Sequence, residues 1–390
     1  MNPLHGLDPR YDVIIVGARC AGAATALLLA RSGAKVLLID RQDYGSDTIS
    51  THALMRGAVI QLKRWGLASK LVAAGTPAVR STTFHYEDGA TRVEIKPEHG
   101  VDCLFGPRRT VLDPLLVDAA RDAGADVRHG VSLSELQFAA SGGRVTGALL
   151  KDASGARASV RSDVVIGADG RQSTVAQLVK AKMYAKGSHA SGVAFGYFDG
   201  LDRDGLHWYF AKHAAAGVIP TNGGHCVFAA VPAEQFGETF RGDVMRGFLG
   251  VLEINSPKLR GAVEQARLIG RLRAFGGATS HLRRCNGAGW ALVGDAGYFK
   301  DPLTAHGMTD ALRDAELLSR AVSIGSTRAL EAYQHERDAL SLPFLQVTDA
   351  IASFSWSVAE VKQLHMELSA VMKTEAHHIA NLSPAPLVPA

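Results

Sequence analysis

Tyr11–Asp40 reads YDVIIVGARCAGAATALLLARSGAKVLLID. Residues 11–16 form an unbroken apolar run of strand length that stops at Gly17. Ala21 to Ser32 is rich in Ala and Leu and predicts a helix, which Gly33 ends. Lys35 to Ile39 is a second buried strand closing on Asp40, so strand, glycine turn, helix and strand make one βαβ unit within thirty residues. Gly17-Ala-Arg19-Cys-Ala21-Gly22 matches G-x-G-x-x-G except at its middle position. In that pattern the first glycine allows a tight turn and the last allows close helix–strand packing. The free N–H groups of the helix start then face a pyrophosphate. Asp40, followed by Arg41, lies where an acid bonds the ribose hydroxyls. Arg19 replaces the glycine that brings backbone to phosphate, so its side chain points away, or contacts phosphate or a nearby carbonyl.

Around this unit lies a chain of 390 residues, 47% hydrophobic and 21% charged, which is enough for two or three domains and excludes a disordered or fibrous chain. Forty-one glycines predict many tight turns. A formal net charge of +4 without a run of five like charges gives no support to nucleic-acid binding; a slight positive field suits an anionic cofactor or substrate. Cys20, Cys103, Cys226 and Cys285 stand far apart without metal spacing, which predicts reduced thiols in a cytoplasmic protein and no bound metal. Charges within and around Val13 to Ala30 argue against a membrane segment.

Further along, helices are expected over 51–64, 68–74 and 111–123. Strands are expected over 81–86, 91–95, 126–129, 145–150, 158–161 and 162–166, the last ending at Asp169-Gly170. Between about 189 and 274, short aromatic and β-branched runs alternate with turns, predicting a mostly antiparallel sheet. Trp290 to Val293 is an apolar strand ending at Gly294-Asp295, a helix should start near Ala305, and 327–380 reads as two helices. Their apolar residues at helical spacing favour packing on the first domain, with a pocket lid or a homodimer contact as alternatives. Ser383 to Pro389 should be extended or disordered.

Asp169-Gly170 and Gly294-Asp295 each place a carboxylate at the C-terminal end of a strand, where ligands sit in α/β sheets. The second runs through Asp301-Pro302-Leu-Thr-Ala-His306-Gly307 into a helix whose N-terminus can stabilise negative charge on a reduced ring. With the first unit, these motifs resemble the FAD-dependent monooxygenases of the para-hydroxybenzoate hydroxylase type (class A), in a superfamily with geranylgeranyl reductases and flavin halogenases. The resemblance covers roughly residues 11–325. It implies an α/β fold: a Rossmann-like (GR2-type) FAD-binding domain over 11–78, 104–188 and 275–325. An inserted, mostly antiparallel substrate domain would take 79–103 and 189–274, before C-terminal helices over 326–380 and a tail over 381–390.

By the same resemblance Gly17, Gly22 and Asp40 bind the ADP half of FAD. Arg109, heading an Arg-x-x-Leu-x-x-x-Leu pattern, contacts the flavin side. Asp169-Gly170 serves FAD and the nicotinamide cofactor, Asp295 bonds the ribityl chain, and Pro302 to Gly307 lies by the isoalloxazine. Asp47-Thr-Ile-Ser-Thr-His52 falls where relatives carry a residue next to the flavin, which makes Thr51 and His52 site candidates; a packing role is the alternative for His52. The implied activity is hydroxylation of a small, aromatic organic substrate with dioxygen and NADPH or NADH, through a flavin C4a-hydroperoxide. His52, His306 and Tyr298 are the catalytic candidates, and His207, Tyr209 and His225 the substrate candidates. The rivals are an FAD-dependent reductase or dehydrogenase of the geranylgeranyl reductase type and a flavin-binding regulator. The W-x-W-x-I-P signature of halogenases is absent, as are G-x-S-x-G and G-x-x-x-x-G-K-[ST].

Overall fold

The computed structural model describes residues 3–50 and 52–383. Its first sheet has the strand order Asn286–Gly287, Trp290–Leu292, Arg157–Gly167, Arg10–Val16, Val36–Asp40, Asp126–His129. Arg10–Val16 lies in its middle, parallel to Val36–Asp40 on one side and to residues 161–167 on the other. Residues 165–167 pair in parallel with Trp290–Leu292. The C-terminal ends of these strands therefore share one edge of the sheet. Apolar residues on both faces, such as Ile14, Ile15, Leu37 and Leu38, are fully buried, as a covered parallel sheet requires. Helices Cys20–Arg31, Arg109–Asp122 and Gly307–Ile324 supply cover.

Residues 158–161 and 162–166, expected as two strands, form one strand, Arg157–Gly167. Its first half pairs antiparallel with Val145–Asp152 and its second half parallel with Arg10–Val16. Polar Arg161-Ser162-Asp163 interrupt the apolar run where the partner changes, but the chain stays extended through them because both halves are paired. The helix expected from residue 51 begins at Arg56, and the one expected near Ala305 begins at Gly307.

The second sheet orders Arg267–Phe275, Ser191–Asp199, Gly224–Pro232, Ala214–Thr221, Leu206–Ala211, Ser81–Tyr86, Gly89–Glu94. All pairs are antiparallel except Leu206–Ala211 with Ser81–Tyr86. Phe195, Tyr197, Trp208, Phe210, Cys226 and Phe228 share a core with Ala53, Leu303, Ala305, Phe344 and Phe354. The alternate residues, among them Phe198, Tyr209, Val218 and Val227, pack on Phe248, Leu252 and Leu259. Those last three belong to helices Val244–Asn255 and Pro257–Gln265, which interrupt the region read from the sequence as strands alone. Asp243 and Ser256 cap them, each accepting a backbone N–H from the first turn.

Helices Thr327–Ala352 and Val358–Asn381 close the chain, the second with a Ser357–Glu360 capping box. Ser383 is the last described residue; the remainder of the expected tail, and Thr51, lie outside the described residues. Among the described residues no helix is long and apolar enough to cross a membrane. The four cysteines are buried and free.

Candidate functional site

Three turns meet at the common edge of the first sheet. Gly17 takes φ +106°, and a Cβ there would meet the Ala168 carbonyl oxygen at 2.4 Å. At Gly22 a Cβ would lie 1.8 Å from the Gly17 oxygen, and at Gly294 (φ +59°) it would lie 2.9 Å from the Ala21 Cβ. Only glycine permits these approaches. The helix start at Cys20 has no side-chain cap and no acid in its first turn, so its leading N–H groups stay available to an anion. The Asp40 carboxylate accepts from Ala18 N and Gln42 N, both at 2.8 Å, which fixes it beside the turn; Arg41 is exposed.

Arg19 does turn to a carbonyl: its guanidinium bonds the Ser46 backbone oxygen and, at 2.8 Å, the Ser46 hydroxyl. It also pairs with Asp113 at 3.2 Å. Asp113 accepts from the Cys20 thiol at 3.2 Å and is gripped by Arg109 through Nε and Nη2, both at 3.0 Å. One buried carboxylate thus ties the nucleotide turn to the Arg109 helix. The i,i+4 spacing of Arg109 and Asp113 was the sequence signal for it.

Asp169 accepts from Thr174 N at 2.6 Å and Val175 N at 3.3 Å, and Gly170 follows with φ +79°. Asp295 is partly buried and makes no hydrogen bond among the described residues. Burial and the nearby Asp310 charge raise its pKa to about 6, against the pull of Arg109. Asp301 accepts from Ser191 N and Ser191 Oγ, both at 2.6 Å, and caps the 3-10 turn Pro302–Thr304, tying that turn to the second sheet. Ala305 then takes φ +50°. Gly307 is exposed, and a Cβ there would meet nothing within 4 Å; its helix has no side-chain cap.

These features fit FAD: a glycine cradle at an uncapped helix start, a carboxylate fixed beside it, and a second without a partner. Open space lies at the next uncapped helix start.

Facing them, His52 is fully buried with φ +57°, its Nε2 hydrogen-bonded to the Tyr197 hydroxyl. Burial, then the charges of Arg109 and Arg108, depress its pKa to about 3, so the ring is neutral. The Arg108 guanidinium lies 3.4 Å from the Tyr197 ring centre and pairs with Asp47 at 3.2 Å, while Arg273 reaches Asp47 at 3.0 Å. Tyr197, Arg108 and Arg273 carried no motif in the sequence.

The other catalytic and substrate candidates do not join this group. Tyr298 is enclosed against Leu282 and Leu345, 1% exposed. His306 is equally enclosed, each ring nitrogen against a carboxylate and its ring 4.3 Å from that of Phe344. Neither offers an atom to a substrate. His207, Tyr209 and His225 lie on the far face of the second sheet. His207 bonds His85 and the Asp204 carbonyl, Tyr209 stacks on His85, and His225 bonds the Arg203 carbonyl. The residues turned toward the first domain are their neighbours Trp208, Phe210 and Cys226.

A family model described as FAD binding domain matches residues 10–347, and the chain belongs to that family. It is an FAD-dependent oxidoreductase. Digeranylgeranylglycerophospholipid reductase 1 of Methanococcoides burtonii is 25% identical over 337 residues, covering 81% of this chain and 75% of that protein. Among solved structures, a triple mutant of the flavin-dependent brominase Bmp2 superposes with a TM-score of 0.82 at 19% identity, covering 96% of each chain. The p-nitrophenol 4-monooxygenase PnpA of Pseudomonas putida DLL-E4 gives 0.78 at 18%, covering 96% of this chain and 99% of that one. At these identities the structural likeness speaks for the fold.

Proposed function

We propose that this protein is a cytoplasmic NAD(P)H-dependent monooxygenase that inserts one oxygen atom from dioxygen into a small aromatic substrate. The observation that carries the flavin reading is the meeting of the Gly17, Asp169 and Asp295 turns at one sheet edge, with Gly307 opening onto free space beside them. In this reading Gly17 and Gly22 shape the pyrophosphate site, Asp40 bonds the adenosine ribose and Asp295 the ribityl chain. Arg109 and Asp169-Gly170 border the flavin, and Pro302 to Gly307 lies along its ring. Bound FAD supplies the redox chemistry, taking hydride from NAD(P)H and activating dioxygen.

The chain's own contribution is to orient and to exclude water. His52 holds the Tyr197 hydroxyl, and Arg108, Arg273 and Asp47 frame that group with one excess positive charge. This favours a substrate that carries or develops negative charge, such as a phenol. Residues 11–78, 104–188 and 275–325 would form the FAD-binding part, and 79–103 with 189–274 the substrate part. Monooxygenation is favoured by that positive frame around the Tyr197 ring, which suits a phenol activated as its anion. A second reading, reduction of an unsaturated substrate, is favoured by the named reductase that matches four-fifths of this chain.

NADPH and NADH oxidation with oxygen uptake, screened over phenols, aromatic acids, indoles and polyenes under heavy-oxygen gas, separates the two. Label in the product is the expected result. Substrate-dependent NAD(P)H loss with an unlabelled, reduced product would move the protein to the reductases.

A further inference from the structure

Behind Gly307 the structure encloses an unusual set of charges. Lys300 Nζ lies 2.7 Å from Asp310 Oδ2. Arg313, fully buried, reaches Asp310 at 3.0 Å, Asp314 at 2.7 Å, Glu375 at 2.7 Å and the Ser341 hydroxyl at 2.9 Å. Three carboxylates thus face two cationic side chains, Lys300 and Arg313. The remaining member is His306, whose Nδ1 lies 3.2 Å from Asp310 Oδ1 and whose Nε2 lies 3.0 Å from Glu375 Oε2. A neutral imidazole has one donor and one acceptor nitrogen, and would set a lone pair against one of those carboxylates. An imidazolium donates to Asp310, sets its second N–H 3.0 Å from Glu375 as an ion pair, and brings a third cation against the three carboxylates. Burial works against a charge on the ring and Lys300 repels it, but Glu375 and Asp310 outweigh them and its pKa is raised. Of the other elements packed here, Thr327–Ala352 contributes the uncharged Phe344 ring and the buried Arg337, which acts on Asp314 and is paired with Asp338 at 2.7 Å; the segment before the helix contributes, besides Lys300, the uncharged Tyr298 and the Asp295 carboxyl, which feels Asp310. His306, Asp310 and Glu375 have the spacing of a metal site, but ammonium and guanidinium groups already occupy the carboxylate oxygens.

We propose that Glu375, on the last helix, is a positioning residue that fixes His306 as an imidazolium behind the helix start at Gly307, so that the enclosure behind the flavin-facing turn carries no net negative charge. The inference rests on the flavin reading above. The positive end of the helix dipole is then left unopposed and favours the reduced, more negative ring.

The experiment uses the full-length, FAD-loaded protein with ¹⁵N-labelled histidine, His306 being assigned by its loss in His306→Gln. In the native protein both ring nitrogens should carry protons from pH 6 to pH 9; a neutral ring there overturns the inference without recourse to any variant. Glu375→Gln should remove the second proton within that range, and Glu375→Asp should restore it. His306→Gln, which removes the ring charge and leaves both carboxylates, should move the flavin reduction midpoint, read against reference dyes, to more negative values. A folded, flavin-loaded Glu375→Gln protein with unchanged His306 protonation, or a His306→Gln protein with unchanged midpoint, also overturns it. Native protein that takes up no FAD defeats the flavin reading itself, whereas a neutral His306 in a yellow protein defeats this inference alone.

Discussion

Replacing Asp295 by Asn removes a charge while keeping the side chain's shape at the end of strand Trp290–Leu292. In the free protein this carboxyl has a pKa raised to about 6 by burial and by Asp310. A flavin hydroxyl donating to it favours the ionised form, so cofactor binding expels a proton wherever the free carboxyl holds one. With full ionisation in the complex, linkage makes FAD affinity about tenfold weaker at pH 5 than at pH 7, or ~1.4 kcal/mol, and flat above pH 7. The asparagine forfeits the charge-assisted part of the bond, about 1.5–3 kcal/mol, together with the pH slope. Deflavinated protein titrated with FAD at several pH values, followed by quenching of flavin fluorescence, measures both quantities. Native affinity that ignores pH between 5 and 7, or an asparagine variant that keeps the native slope, would refute the placement of Asp295 on the flavin.

Two other substitutions probe the nucleotide turn. Gly22→Ala drives a methyl to 1.8 Å from the Gly17 oxygen, so the turn must move. Destabilisation of about 1–3 kcal/mol is expected in thermal melts, with loss of FAD retention; a melting temperature within a degree of native would show that the turn yields freely. Asp113→Ala strands two arginines, one of them buried, and is expected to cost about 3–5 kcal/mol in denaturant unfolding. A cost below about 1 kcal/mol would mean that water reaches these groups, which surface pairs allow and buried ones do not.

Local grammar made the first half of this picture readable. Strand, glycine turn and helix at 11–33 are set by neighbours in sequence, and the Gly17–Asp40 spacing fixes where the acid falls on the sheet edge. Faces were harder. Leu206–Ala211, LHWYFA, offers aromatic residues in both phases, so nothing local tells which set looks toward the first domain. A shift of one residue exchanges His207 and Tyr209 for Trp208 and Phe210. Packing against Leu303, Phe344 and Phe354 decides it, and those residues are about a hundred or more positions away. The helices over 244–265 were signalled by Asp243 and by Ser256-Pro257, but apolar runs on either side dominated the reading. The partnership of His306 with Glu375 joins different helices, and no spacing rule reaches that far.

The placement of Arg10–Val16 at the middle of its sheet has a consequence for synthesis. One neighbour, Val36–Asp40, follows at once, but Arg157–Gly167 must be made before the other side is filled, and Trp290–Leu292 before the edge is complete. At a translation speed of about 5–20 residues per second, the Gly17 turn waits on the order of 15–60 s for Gly294 to arrive. During that interval a ribosome-bound chain presents a bare, apolar strand edge, a natural client for a chaperone. A nascent fragment ending before Asp295 cannot assemble the cradle, so capture of the cofactor doubles as a check that translation has passed the last of the three turns.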